Sequence, residues 1–250
     1  MVKYLFLICA IAFGSYAQVP PVLLLGPGAG VYTISAPSIS LVQSAKGPAI
    51  GTYPTSLTLP FTSNTGAGNG ILVVCATYNA NTCAITSNTQ GLTFNAVSGS
   101  PFSAAGVTTN TYAWIGCGTS AAAESISLSW SNNTAWNGAT IFEFTGTGCT
   151  VDQVPIPVVN TATTAKTSGA TGITTAANEI LFGIFGREFA SGGGNQTLTQ
   201  GSGWIIQQAQ NDLYGWLVVE TKVVSSTGAY TAIATGSVAD TSQGFIITIK

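Results

Sequence analysis

Charge is what this chain of 250 residues has least of. Lys and Arg number six, Asp and Glu eight, and together they make up 6% of the sequence, against about 25% in an average domain. Six basic residues and a net charge of −2 exclude a nucleic-acid partner, because no basic stripe exists to neutralise phosphates. Histidine is absent, which excludes Ser-His-Asp and Cys-His catalysis. Acidic residues do not cluster: Asp152, Asp212 and Asp240 are scattered, so no calcium loop is expected. Residues 64–70 and 191–195 are glycine-rich but lack the lysine and following helix of a phosphate-binding loop. No amphipathic helix is legible, and no apolar run beyond the N-terminus is long enough to cross a bilayer. The expectation is therefore a chain with no catalytic residue, no metal, no cofactor and no membrane span in its mature form.

What is present begins with an export signal. Lys3 supplies a positive start, Tyr4 to Phe13 is apolar, and Ser15 and Ala17 place small residues before a cut at Gln18. Residues 1–17 are thus expected to be removed and the product to be secreted or held at the cell surface. Hydrophobic residues make up 46% of the chain, enough to build a core. Ser, Thr, Asn, Gln and Gly carry the polarity, and a surface so poor in charge repels its own copies weakly. Cys9 leaves with the signal; Cys75, Cys83, Cys117 and Cys149 remain. An even number in an exported chain reads as two disulfides. Of three pairings, Cys75–Cys83, stapling a hairpin, and Cys117–Cys149, tying neighbouring strands, are favoured. Without C-x-x-C spacing or histidine, a zinc site is not.

Period-two segments dominate the rest. Ser125 to Trp130 alternates small polar with large apolar side chains, so one face is buried and the other wet. Ser56 to Phe61 repeats the pattern, and Gly70 to Tyr78 is apolar on both faces, as a central strand would be. Further strands are expected at 91–97, 111–117, 138–145, 179–186, 204–210, 213–223, 229–235 and 243–249. The fold class is all-β: a jelly-roll-like antiparallel β-sandwich spanning residues 54–250. Val154 to Thr163 resembles a linker, but a single domain is expected, on the reading that neither half alone holds enough strands to shield two faces. Residues 18–53 form an extended N-terminal segment. Its apolar side chains, Val22, Leu23, Leu24, Leu25, Val31, Ile34, Ile39 and Leu41, need a home on their own sandwich or on a neighbour's.

Few residues invite chemistry. Glu143 lies in an apolar strand, and Glu188 follows Arg187. Two carboxylates across a cleft would suit a glycosidase, but the preferred reading is that Glu143 is held by backbone donors or by a cation such as Arg187. Among the aromatics, Trp136 is the best placed for glycan stacking, with Tyr78 and Tyr214 behind it, although packing is the commoner fate of a tryptophan. Trp114, Trp130 and Trp204 are expected in the core. Asn132 and Asn195 open N-x-T sequons in loop-like segments, and the Ser/Thr-rich stretch 160–175 would suit O-linked sugar.

From Gly70 to Gly148 the ILVVCATY strand, the TQGLTFNAV hairpin, and the TYAWIG, ESISLSW and IFEFTG strands resemble the repeated β-sandwich domains of exported bacterial surface proteins. AANEILFGIFG, STGAYTAIATGS and GFIITIK continue the likeness through the second half. The resemblance implies a sandwich fold and an external location. A signal, an apolar N-terminal strand and a disulfide-bonded sandwich of low charge are together similar in layout to donor-strand, pilin-like fibre subunits. That likeness implies a structural, non-enzymatic subunit of an extracellular filament, with copies of itself as head-to-tail partners. Covalent or bound glycans are a second class of partner. The alternative is a carbohydrate-binding or adhesin module; a glycoside-active enzyme ranks third.

Overall fold

The β-rich sequence pattern is realised as antiparallel sheets in the described residues. The computed structural model describes residues 22–23, 32–33, 39–48, 54–78, 81–132, 136–145, 148–188, 196–211 and 214–250, and among them there is no helix. The chain divides into two units, Met1–Pro37 and Ser38–Lys250. In the first, β1 (Val22–Leu23) pairs antiparallel with β2 (Tyr32–Thr33).

The second unit folds twice over in one pattern. Its first half contains β3 (Ser40–Gly47), β4 (Ser56–Pro60), β5 (Gly70–Tyr78), β6 (Cys83–Asn88), β7 (Phe94–Ala96), β8 (Thr109–Cys117), β9 (Ser125–Trp130) and β10 (Asn137–Thr145). These make a five-stranded main sheet, β3-β10-β5-β8-β7, and a three-stranded outer sheet, β4-β9-β6. The second half contains β11 (Val158–Ala170), β12 (Glu179–Glu188), β13 (Leu198–Gln200), β14 (Ile205–Asn211), β15 (Gly215–Val224) and β16 (Thr231–Ile249). Its main sheet runs β11-β16-β12-β15-β14, with β13 on β16. Here β11 and β16 serve both layers. Val158 and Val159 pair with Gly244 and Gln243, while Ala165 to Thr167 pair with Thr235 to Ile233, with register shifts between. The early part of β16 lies over the main sheet: a Cβ on Gly183 of β12 would fall 2.4 Å from that of Ala232.

In both halves the chain visits main, outer, main, outer, main, main, outer and main layers in turn. That is the strand order of a jelly roll, except that the fifth strand (β7 or β14) has joined the main sheet rather than the outer one. The expected sandwich is therefore present twice within one compact unit. The expectation that neither half holds enough strands is overturned, because each builds its own second layer. The stretch read as a linker is largely β11, whose threonines and valines suit a pleated surface. The sandwich also begins before residue 54, since β3 pairs with β10 along Ala139↔Gly47 to Thr145↔Ser40.

Three apolar cores follow from three interlayer spaces. Ile71, Val73, Ile126, Leu128 and Ile141 fill the first sandwich. Leu181, Phe185, Trp216, Val218 and Ile246 fill the second. Between them the main sheets meet face to face, through Leu72, Val74, Phe142 and Phe144 on one side and Phe182, Ile184, Leu217, Val219, Phe245 and Ile247 on the other. Phe102 stacks on Phe245 across this space at 4.3 Å. Both faces of β5 and β10 are thus covered, which is why their sequences read as continuous apolar runs.

Candidate functional site

The first sandwich carries an open groove of about 510 Å³ between the edge of its outer sheet and the near edge of its main sheet. β6 forms one wall. It pairs with β9 on one side and, among the described residues, with no strand on the other. β7, which a regular jelly roll would lay beside β6, pairs instead with β8 along Phe94↔Gly116 to Ala96↔Trp114. The floor is apolar and half-buried: Ile85, Leu92, Phe94, Tyr112 and Trp114 fringe the first core. Phe94 lies flat on Gly116, where a Cβ would come within 2.7 Å of the ring. The Tyr112 and Trp114 rings are parallel, with centroids 5.7 Å apart. Burial pushes the Tyr112 hydroxyl above its ordinary pKa, with Asn110 opposing, and that hydroxyl donates to the Asn81 carbonyl at 3.4 Å.

Both ends of β6 are fixed. The Cys75–Cys83 disulfide joins it to β5. This bond links two sheets and does not staple a hairpin, because β5 and β6 belong to different layers. At the far end Asn88 closes the turn to β7, its Nδ2 donating to the Leu92 carbonyl at 2.8 Å and its Oδ1 accepting from the Leu92 amide at 2.6 Å. Glu124 anchors the same turn by accepting from the amides of Thr89, Gln90 and Ser125. None of the groove's lining residues is charged. The second disulfide, Cys117–Cys149, ties the end of β8 to the crossing between the halves.

The aromatic assignments exchange places. Trp136 is 3% exposed and belongs to the core between the main sheets, where it covers Gly138 and Gly215; it has no face for a sugar. Trp114, expected in the core, lines the groove. Trp130 and Trp204 are buried as expected. Among the N-terminal apolar residues, Ile39 is buried and Leu41 packs against the same core, so both are committed to the core between the chain's own main sheets. Leu24, Leu25, Val31 and Ile34, the side chains of Val22 and Leu23, the sequon residue Asn195 and the side chain of Glu188 lie outside the described residues. Asn132 is exposed, and its carbonyl accepts from Asn137 at 3.0 Å.

The carboxylates are held by neighbours. Glu143 is fully buried and accepts from the Gly66 amide at 2.6 Å, from Asn69 at 2.5 Å and from Gln43 at 2.7 Å. Its partners are a backbone donor and two amides, not Arg187, which lies 3.8 Å from Asp240. Asp240 in turn pairs with the buried Lys166 and accepts from Trp216 Nε1 at 3.0 Å. Burial opposes ionisation of Asp152, but the Thr175 hydroxyl and amide and the Lys250 ammonium outweigh it and hold its carboxyl well below the ordinary range. Its neighbour Glu179 is raised, chiefly by burial. Sequence reasoning missed Glu124, Lys166 and Glu220; the only signal was a charged residue inside an alternating apolar strand or at its mouth. Among the described residues, no group of three or more acidic, histidine or cysteine side chains is placed to hold a metal. No family model, curated protein or solved structure matches the chain.

Proposed function

We propose that the protein is a structural subunit of an extracellular filament or surface layer, assembling through its N-terminal segment by strand complementation. One observation carries the reading. Residues 18–37 contain no charged side chain and include the aliphatic run Val22-Leu23-Leu24-Leu25, and they fall in a unit of their own, Met1–Pro37. Apolar surface of that kind seeks burial, and a donated strand gives it burial and backbone hydrogen bonds at once. Two disulfides fit an oxidising, external compartment. A surface poor in charge favours self-association. No residue is assigned turnover. The secreted native material should show fibres or sheets by negative-stain microscopy, and removal of residues 18–37 should abolish them while the sandwich still melts cooperatively. Discrete monomers under conditions that preserve fibres would refute the reading.

A second reading is favoured by the parallel rings of Tyr112 and Trp114 in an uncharged groove. It is a module that binds neutral glycan on aromatic side chains.

A further inference from the structure

We infer that the groove beside β6 accepts residues 18–37 of a second copy of this chain, laid as a fourth strand on the outer sheet of the first sandwich. The inference rests on the assembly reading above and gives it a partner surface. With β7 moved to the main sheet, the position beside β6 has no strand among the described residues. The row of backbone N–H and C=O groups on that edge is a template for pairing. Beneath it the core is covered on one side only. Ile126 and Leu128 of β9 are fully buried, whereas Ile85 and Trp114 remain half-exposed. An added strand with aliphatic side chains on its inner face would complete that cover.

The donor matches the site. Neither residues 18–37 nor the groove lining carries a charge, so docking desolvates no ion. Pro20, Pro21 and Pro27 bracket the aliphatic run; lacking N–H groups, they blunt the new outer edge against further pairing. The β1–β2 pairing is two residues long, too short to be stable alone, so little is lost when the segment re-pairs. Donor and groove are different surfaces of one chain, which makes the contact heterologous and the product an open filament.

The test uses two full-length variants and their mixture. A donor variant, Leu23→Asp with Leu24→Asp, keeps the groove; a groove variant, Ile85→Asp, keeps the donor. By light scattering, the parent should polymerise, each variant alone should stay monomeric, and the equimolar mixture should form dimers and nothing longer. Dimer formation also shows that the donor variant's groove is intact, and a cooperative melt near that of the parent shows that the groove variant is folded. Thr86→Asp, on the exposed rim, is the second groove variant should Ile85→Asp melt far below the parent. If both groove variants polymerise like the parent, the groove is not the acceptor, although the filament reading survives. If the parent itself never assembles, both fall. Binding of a neutral cello-oligosaccharide that is lost in Trp114→Ala while polymerisation is unchanged would assign the groove to sugar and overturn the inference.

Discussion

Glu220 sits in the middle of β15, paired with Gly183 of β12 and Ile206 of β14, fully buried and with neither carboxyl oxygen in a hydrogen bond of ordinary geometry. Burial pushes its pKa from 4.5 up to about 8, and the nearby backbone of Ile233 and Gly201 pulls it back only in part. The folded state therefore keeps a proton that the unfolded chain releases, and this residue's linkage makes stability fall as pH rises between about 4.5 and about 8. Glu220→Gln should flatten that fall. Thermal melts at about pH 5 and about pH 9 should differ less in the variant than in the parent; an unchanged difference would show that Glu220 is not the group responsible. Lys166 and Asp240 pose the opposite case, a buried pair in which each charge neutralises the other. Asp240→Ala strands the Lys166 ammonium and the Trp216 indole N–H, at a cost of about 3–5 kcal/mol. Lys166→Met combined with Asp240→Leu should recover most of the lost melting temperature. The exchange of Trp114 and Trp136 belongs to this scale too. In Thr111 to Cys117 the alternation correctly puts Tyr112 and Trp114 on one face and Ala113 and Ile115 on the other. Nothing local says that the layer above the first face stops short.

Among the elements, β6 is the strand whose surroundings decide most. Its disulfide to β5 closes a segment with a sequence separation of 8, worth about 2–3 kcal/mol by loop closure. Replacing Cys75 and Cys83 with alanine should lower stability by about that amount and raise amide exchange selectively over 83–92. Uniform loosening of the whole sandwich would argue against a local clamp. This strand was also illegible in sequence. Cys83 to Asn88 reads CAITSN, with a single large apolar residue, and its place is set by tertiary pairing with β9. By contrast Gly70 to Tyr78 and Ser125 to Trp130 were legible to the residue, because their apolar periods report one or two covered faces directly. The stretches 229–235 and 243–249 were read as separate strands. They are the two ends of β16, which runs on through Gly236 to Ser242, a stretch whose glycine and small polar residues read as a turn in the sequence.

At the scale of the whole molecule, no charged residue occurs between Lys46 and Glu124, a span that includes the groove. If assembly runs through that surface, its rate and extent should change little between about 0.05 M and about 1 M salt, because there is no ion pair to screen. A steep salt dependence in light scattering would point to a different contact. The core shared by the two main sheets has a separate implication. Each half presents there a sheet face of large aliphatic and aromatic side chains, the kind of surface that permanent dimers hide. The molecule is in effect a two-subunit complex written on one polypeptide. Neither half is free to be lost, duplicated or exchanged by recombination on its own, since its new neighbour would have to match that face side chain for side chain.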